Sequence, residues 1–323
     1  MSEESTYQGS LKVSKSLKVH LKEFWAQKDL QLMVLPCIIL LLIFCYIPMY
    51  GLLMAFQKYK LGDLPGFSQW VGIEHFKMLF NSPGFLNIMR NTFVISLLKL
   101  VINFPMAIIF AILLSEAYGK HLKRVVQTVS YLPHFVSMVV VSGLVFDFLS
   151  IDGGMLNNIL VKLNIIDSPI TFMGEPKYFW GITVLADLWK ELGWSAIIYI
   201  AAMASIDPEL YQAADIDGAG RLRKIWHITL SGIKPTIIIL LILTVSNLLS
   251  AGFEQILLLT NNLANATVKD VSEILDTYVY RVGITQMRYS YATAAGLFKS
   301  LVSVALLTIA NYVARFLGED SLW

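Results

Sequence analysis

The chain has 323 residues, 56% of them hydrophobic and 15% charged, against roughly 45–50% and 25% in a soluble globular protein. Its 25 basic and 23 acidic side chains leave a net charge of +2, so no global basic field points to nucleic acid. The apolar residues gather into runs long enough to cross a bilayer, which excludes an ordinary cytosolic enzyme and predicts an all-α integral membrane protein.

Residues 1–29 form a polar, lysine-bearing arm. Within it Leu17, Leu21 and Phe24 or Trp25 recur at helical spacing opposite Lys15, Lys18 and Lys22. That pattern predicts an amphipathic helix on the inner membrane surface, its lysines toward anionic lipid or a cytosolic partner. The first apolar run begins only near Leu30, so no cleavable signal peptide is expected and the run serves as an uncleaved anchor. Six spans are predicted, near 30–56, 88–115, 124–149, 178–205, 233–259 and 292–317. Each exceeds the ~20 residues that a ~30 Å hydrocarbon core requires. Pro36, Pro48, Pro105 and Pro133 fall inside them, which neighbouring helices make tolerable in lipid. Cys37 and Cys45 lie eight residues apart in the first span, roughly 12 Å along a helix. A disulfide cannot bridge that distance, and both are expected as small buried apolar residues. Residues 318–323 are a short tail.

Orientation follows from the basic residues near the span ends. With the N-terminus inside, the inner segments hold thirteen of them, dense around Lys120, Lys123 and Arg124 and again at Arg221, Arg223, Lys224 and Lys234. The longer outer segments hold nine. The bias places both termini in the cytoplasm. The outer connections, about 57–87, 150–177 and 260–291, carry no core-sized apolar pattern and read as short helices lying on the membrane. Residues 116–123 are brief enough for a helical hairpin. The first and last three spans show no internal repeat.

Asp147, Asp187, Lys190, Glu191, Glu254 and Lys299 lie in or near spans, where charge is costly and usually faces protein or a watery cavity. Asp187, Lys190 and Glu191 share one helix face by their spacing. Two readings stay open: a polar lining of a translocation path, or an ion pair within the helix that neutralises itself. Motifs for chemistry are missing. Gly119-Lys120 is followed by His121 rather than by Ser or Thr, so no phosphate loop exists. His20, His75, His121, His134 and His227 form no metal-ligating pair, and no Gly-x-Ser-x-Gly elbow occurs. Neither catalysis nor a metal is expected.

The inner segment 207–232 holds the strongest signal. Asp207 suits an N-cap, Pro208 the first helical position and Glu209 the positive end of the helix dipole. A short helix is expected from there to Gly218, where a left-handed residue ends it. Its surface is small-sided, from Ala213, Ala214, Gly218 and Ala219, and Arg221, Arg223, Lys224, Trp226 and His227 follow.

The run Tyr211-Gln-Ala-Ala-Asp-Ile-Asp-Gly-Ala-Gly220 resembles the Glu-Ala-Ala loop of ATP-binding-cassette importer permeases. The stretches 253–260, 275–281 and 289–299 look like the branch that imports oligosaccharides and polysaccharide fragments, such as alginate and rhamnogalacturonan systems. Gln212 stands in place of the usual Glu, and Ser231 where a Pro commonly closes the motif. The resemblance implies a type I importer permease with a single permease domain over 30–317. Its cytoplasmic coupling helix would lie between spans four and five, made of Tyr211, Gln212, Ala213, Ala214, Asp217, Gly218 and Ala219. It also implies a second, homologous permease subunit in a heterodimer, two ATPase subunits that use ATP and Mg, and an extracellular or periplasmic solute-binding protein. The setting would be a bacterial inner membrane. For a sugar cargo, aromatic planes would stack on pyranose faces while amides and carboxylates hold hydroxyls. Trp189, Trp194, Tyr199, Asn247, Phe253, Glu254 and Gln255 are the candidates, with Tyr178 and Trp180 read as interfacial belt. A permease for a non-sugar solute is the alternative. A secondary transporter would call for inverted repeats and would leave the 207–220 loop unexplained.

Overall fold

The computed structural model describes residues 26–323, so the expected surface helix at 15–25 lies outside the described residues. Helices account for the regular structure, and the only extended pairing among the described residues is one antiparallel bridge between Gln57 and Trp70. The chain divides into two units, residues 1–53 and 54–323.

In the first unit runs most of α1 (Lys28–Phe56). Its α-helical winding gives way to a π turn at Leu42–Tyr46 just before Pro48. Proline has no N–H and its ring crowds the carbonyl four residues back, here Phe44, so the ladder shifts register at that point. Cys37 and Cys45 are free, and both are exposed rather than buried. Nearly all of α1 is exposed.

The second unit comprises α2 (Glu74–Phe80), α3 (Phe85–Glu116), α4 (Lys120–Phe135), α5 (Met138–Leu149), α6 (Met155–Lys162) and α7 (Pro176–Ala204). There follow α8 (Pro208–Ile216), α9 (Arg221–Ser246), α10 (Phe253–Leu259), α11 (Lys269–Ser272), α12 (Leu275–Tyr280) and α13 (Tyr289–Phe316). The long helices α3 and α7 lie side by side at the centre, with α4 on α7 and α13 on α9. Small side chains set the approach: Ala107, Ala111 and Ala196 are fully or almost fully buried between α3 and α7, beside Tyr199, Met203 and Ile233. Close backbone contact replaces the hydrophobic drive that lipid cannot supply.

Among the described residues four helices are long and apolar enough to cross a membrane: α1, α3, α9 and α13. The expected span 124–149 is two helices, α4 and α5, meeting at 102°. Val136 is extended and the Ser137 side chain caps the new helix by accepting from the Val140 N–H. Counting that pair once gives five. The expected span 178–205 forms α7, 29 residues long, but Asp187, Lys190 and Glu191 deny it an apolar stretch of full length. The expected span 233–259 stops at Ser246, and α10 is a separate helix. The intervening Gly252 takes a left-handed backbone, φ +101°, which ends any continuous ladder.

The connections 57–87 and 260–291 hold more core than their sequences suggested. One buried cluster joins Leu79, Phe85 and Ile88 to Leu275, Tyr278, Val282 and Tyr291. Another joins Ile95 and Phe179 to Ala251, Ile256, Leu259, Val268 and Ile274. Short helices thus fold back onto the long ones instead of simply lying on a membrane surface.

Candidate functional site

Two places gather the polar residues that an apolar chain cannot place idly. The first is a cleft of about 610 Å³ between α3, α7 and α9, reaching the 247–252 break. Lys99 on α3 donates to Asp187 Oδ1 on α7 at 2.8 Å and to Gln255 Oε1 on α10 at 2.8 Å. Asn103 Nδ2 donates to the other Asp187 oxygen at 2.8 Å. Gln255 completes the knot by donating to the Thr183 carbonyl at 2.7 Å. A Cβ on Gly252 would come within 2.9 Å of Lys99 Nζ, so the glycine leaves room for the ammonium. Every charge in the knot has a partner on another helix, as burial in low dielectric demands.

One turn further along α7 stands a second polar group. Glu191 Oε2 lies 2.7 Å from His134 Nδ1, and Glu191 Oε1 lies 3.2 Å from Lys190 Nζ. Lys190 in turn donates to the His134 carbonyl at 2.7 Å. The His134 ring stacks on Trp194, centroids 4.2 Å apart and planes parallel. These bonds hold α4 to α7 one residue before the 102° bend. The predicted Asp187–Lys190–Glu191 face therefore divides: Asp187 pairs across to α3 rather than along its own helix, while Lys190 and Glu191 pair locally and brace α4.

Of the predicted path residues, Trp194, Tyr199 and Asn247 line this cleft, and Gln255 reaches it through Lys99. Tyr199 is buried, its ring edge-on to Phe104. The other three lie elsewhere. Trp189 faces a second, mostly apolar cleft of about 1010 Å³ between α5, α6 and α7, which also holds Asp147. The Phe253 ring packs on Tyr280, and Glu254 is exposed on α10. Trp180, read as interfacial belt, donates its indole N–H to the Val271 carbonyl at 2.8 Å. Lys99 and Asn103 are the cleft residues that the sequence did not single out. Their signal was a cation and an amide at i and i+4 inside an otherwise apolar span.

The second place is the 207–232 segment. Asp207 Oδ1 accepts from the Glu209 N–H at 2.9 Å, Pro208 opens α8, and Gly218 adopts φ +71° just beyond its end. The expected short helix forms with the expected caps. Its residues divide into braces and surface. Tyr211 is a brace, its hydroxyl 2.9 Å from Thr229 Oγ1 in the π turn that begins α9. Ala219 donates its N–H to the Ala214 carbonyl, closing the turn. Gln212, Ala213, Asp217 and Gly218 are exposed. Lys224 bonds Asp215 at 2.6 Å. Arg221 reaches Glu116 at 3.3 Å and stacks over Tyr118, tying this segment to the 116–119 turn. Between these polar ties stand bare apolar side chains that the sequence reading passed over: Ile216 is 88% exposed and Leu222 83%, with Trp226 nearby in sequence and also exposed. Among the described residues no three His, Cys, Asp or Glu side chains stand together to hold a metal.

Residues 103–319 match the family of binding-protein-dependent transport system inner membrane components. The chain belongs to this family. As a permease it is 45% identical over 299 residues to the polygalacturonan/rhamnogalacturonan transport system permease protein YteP of Bacillus subtilis (strain 168), covering 92% of this chain and 91% of the relative. One chain of a bacterial ABC transporter involved in the import of the acidic polysaccharide alginate superposes with a TM-score of 0.83 at 40% identity, covering 91% of this permease and 98% of that chain. A chain of a bacterial alginate ABC transporter in complex with an alginate pentasaccharide-bound periplasmic protein gives 0.84 at 39% identity, covering 93% of this permease and 99% of that chain. The matched family region contains the cleft residues from Asn103 onward and the whole 207–232 segment.

Proposed function

We propose that this permease is half of the membrane pore of an oligosaccharide importer and is driven through α8. A second, similar permease completes the pore, two ATPase subunits dock from the cytoplasm, and a solute-binding protein delivers the cargo from outside. In this reading the bent α4–α5 pair and α7 both cross the membrane, for six crossings in the type I arrangement. The paired charges of α7 are what make its crossing tolerable. The knot of Lys99, Asp187, Asn103 and Gln255 then stands on the cleft wall, with Trp194 and Asn247 offering an aromatic and an amide surface of the kind that sugars use. The names of the relatives, with polygalacturonan, rhamnogalacturonan and alginate as their cargoes, support a saccharide.

The observation that carries the reading is α8 with its following turn: capped, braced from behind by Tyr211 and Arg221, and bare in front at Gln212, Asp217 and Ile216. ATP-driven closure of the partner subunits would move this rigid piece, and its ties to α9 and to the 116–119 turn would pass the motion to the cleft. No cofactor is needed in this chain; ATP and Mg act in the partners. Gln212 accepts hydrogen bonds but lacks the carboxylate charge that roughly doubles their strength, so docking rests more on shape and on the exposed apolar side chains.

Gly218→Asp tests this. An added Cβ meets nothing within 4 Å, and Asp tolerates a left-handed backbone better than most residues, so the turn survives. The new side chain occupies the space a partner would fill. In transporter reconstituted with its ATPase and binding protein, substrate-stimulated ATP hydrolysis is expected to fall to the basal rate while membrane insertion stays normal. Full stimulation in the variant would overturn the coupling role.

A further inference from the structure

Two adjoining cavities open beside the start of α3, about 390 and 440 Å³ in volume, and share Ser82, Tyr278 and Arg288 as a common wall. Both lie among the outer connections, on the face opposite α8 in the orientation proposed above. Their size falls within the range of small-ligand sites. The linings together carry four cations against three carboxylates, with polar groups predominating in the smaller cavity and apolar ones in the larger. One cation is already spent, since Arg281 donates to Glu273 at 2.6 Å and lies over the Tyr278 ring. Arg288 and Lys269 make no ion pair. Arg288 is nonetheless held in place, its guanidinium 4.6 Å over the Tyr291 ring, whose hydroxyl bonds Tyr278 at 2.7 Å.

The backbone that presents Arg288 is strained. The π turn Arg281–Thr285 ends at Gln286, Met287 takes φ +56°, and the Arg288 N–H returns to the Val282 carbonyl at 3.0 Å. A left-handed non-glycine residue persists only where the surroundings enforce it, and such residues cluster at ligand sites. Here the conformation sets Gln286 and Arg288 on the same cavity wall. A planar guanidinium placed over an aromatic ring and in no ion pair matches a carboxylate ligand bidentately. The exposed amides of Asn87 and Gln286 suit hydroxyl groups.

We infer that this outer groove binds a carboxylate-bearing oligosaccharide, with Arg288 on a uronate carboxylate and Lys269 on its neighbour, a subsite met before the membrane cleft. The inference rests on the saccharide reading above and narrows it to acidic cargo. Asn91, at the groove floor, lies two turns of α3 from Lys99, roughly 12 Å along the helix axis, so the groove stands directly upstream of the cleft.

The test uses the complete transporter in lipid nanodiscs, without its binding protein, titrated with trigalacturonate and with neutral maltotriose. Trigalacturonate is expected to bind saturably and maltotriose far more weakly. Arg288→Gln should weaken the acidic sugar about tenfold, the size of one lost charge-assisted bond, and Arg288→Lys should recover part of it. Lys269→Gln serves as the second variant, and unchanged melting temperatures show that each variant is folded. Equal trigalacturonate affinity in wild type and both Gln variants overturns the site. So does a result in which Arg288→Gln weakens capture of the binding protein and leaves sugar affinity alone, because the surface then serves protein docking. A transporter that imports acidic saccharide normally with Arg288→Gln refutes the groove and leaves the cargo reading standing. One that handles no saccharide at all refutes the cargo reading itself.

Discussion

Lys99 and Asp187 meet 2.8 Å apart with side chains only 16% and 26% exposed, Lys99 midway along a helix long and apolar enough to cross a membrane. A lone buried charge is expensive, and the pair is tolerated because Gln255 adds an acceptor for Lys99 and Asn103 a donor to Asp187. The two partners should therefore be energetically coupled. Lys99→Met leaves Asp187 with a single amide donor, and Asp187→Leu leaves the ammonium with a single amide acceptor. Each should lower stability by about 1–3 kcal/mol, the cost of an under-satisfied buried group. The double variant removes both charges and should be less damaging than the sum of the singles by at least about 1 kcal/mol. Thermal unfolding of the four proteins in one detergent measures this, and strict additivity would show that the pair contributes nothing as a pair. The spacing of Asp187, Lys190 and Glu191 marked a polar face in the sequence, but only packing chose α3 over the same helix as the partner of Asp187.

Helices α4 and α7 touch backbone to backbone. A Cβ on Gly193 would stand 2.2 Å from the Ser130 carbonyl oxygen, a distance no side-chain adjustment can relieve. Gly193→Ala must push the two helices apart, and with them the His134–Glu191 and Lys190–His134 bonds that brace the bend. The expected loss is about 1–3 kcal/mol, as for other overpacked sites. Gly181, on the same helix, has nothing within 4 Å of an added Cβ. Gly181→Ala should be neutral or slightly stabilising, because alanine favours a helix by up to ~1 kcal/mol over glycine. Melting curves of the isolated permease separate the two, and similar behaviour of both variants would remove close packing as the cause. At this scale the sequence was legible where local chemistry decides. Asp207, Pro208 and Gly218 announced α8 and its ends, and apolar runs announced α3 and α13. It was opaque where continuity decides: an apolar run does not register a break, so the interruptions at 136–137 and 247–252 were read through. Pro133 with Ser137, and Asn247 with Gly252, are in hindsight their only local marks. The outer core was missed for a related reason. Residues such as Leu79, Val268 and Ile274 lie in short apolar stretches set among polar residues and become a core only when distant segments bring them together.

For the whole molecule the open quantity is the number of crossings, and the charge that makes it ambiguous also permits a clean test. Composition admits four or five spans because α7 carries its ion-paired side chains and α4–α5 is bent. Six crossings with both termini inside put the inner segments 116–123 and 206–232 on one face, where basic residues concentrate, and the connections 150–177 and 260–291 on the other. Single cysteines at Lys120, Ile165, Glu209 and Ile284, in a chain with Cys37 and Cys45 replaced by Ala, report these four segments. All four positions are exposed, so reactivity reflects sidedness rather than burial. In intact cells a membrane-impermeant maleimide should label Ile165→Cys and Ile284→Cys at once, and Lys120→Cys and Glu209→Cys only after permeabilisation. Parity assigns each outcome. If the bent pair returned to its own side, residue 165 would share the face of residue 120 and be protected in intact cells. If α7 did not cross, residues 165 and 209 would respond alike. Only the alternating pattern lets α8 reach an ATPase while the Arg288 groove reaches cargo, so the labelling decides whether both sites can belong to one importer.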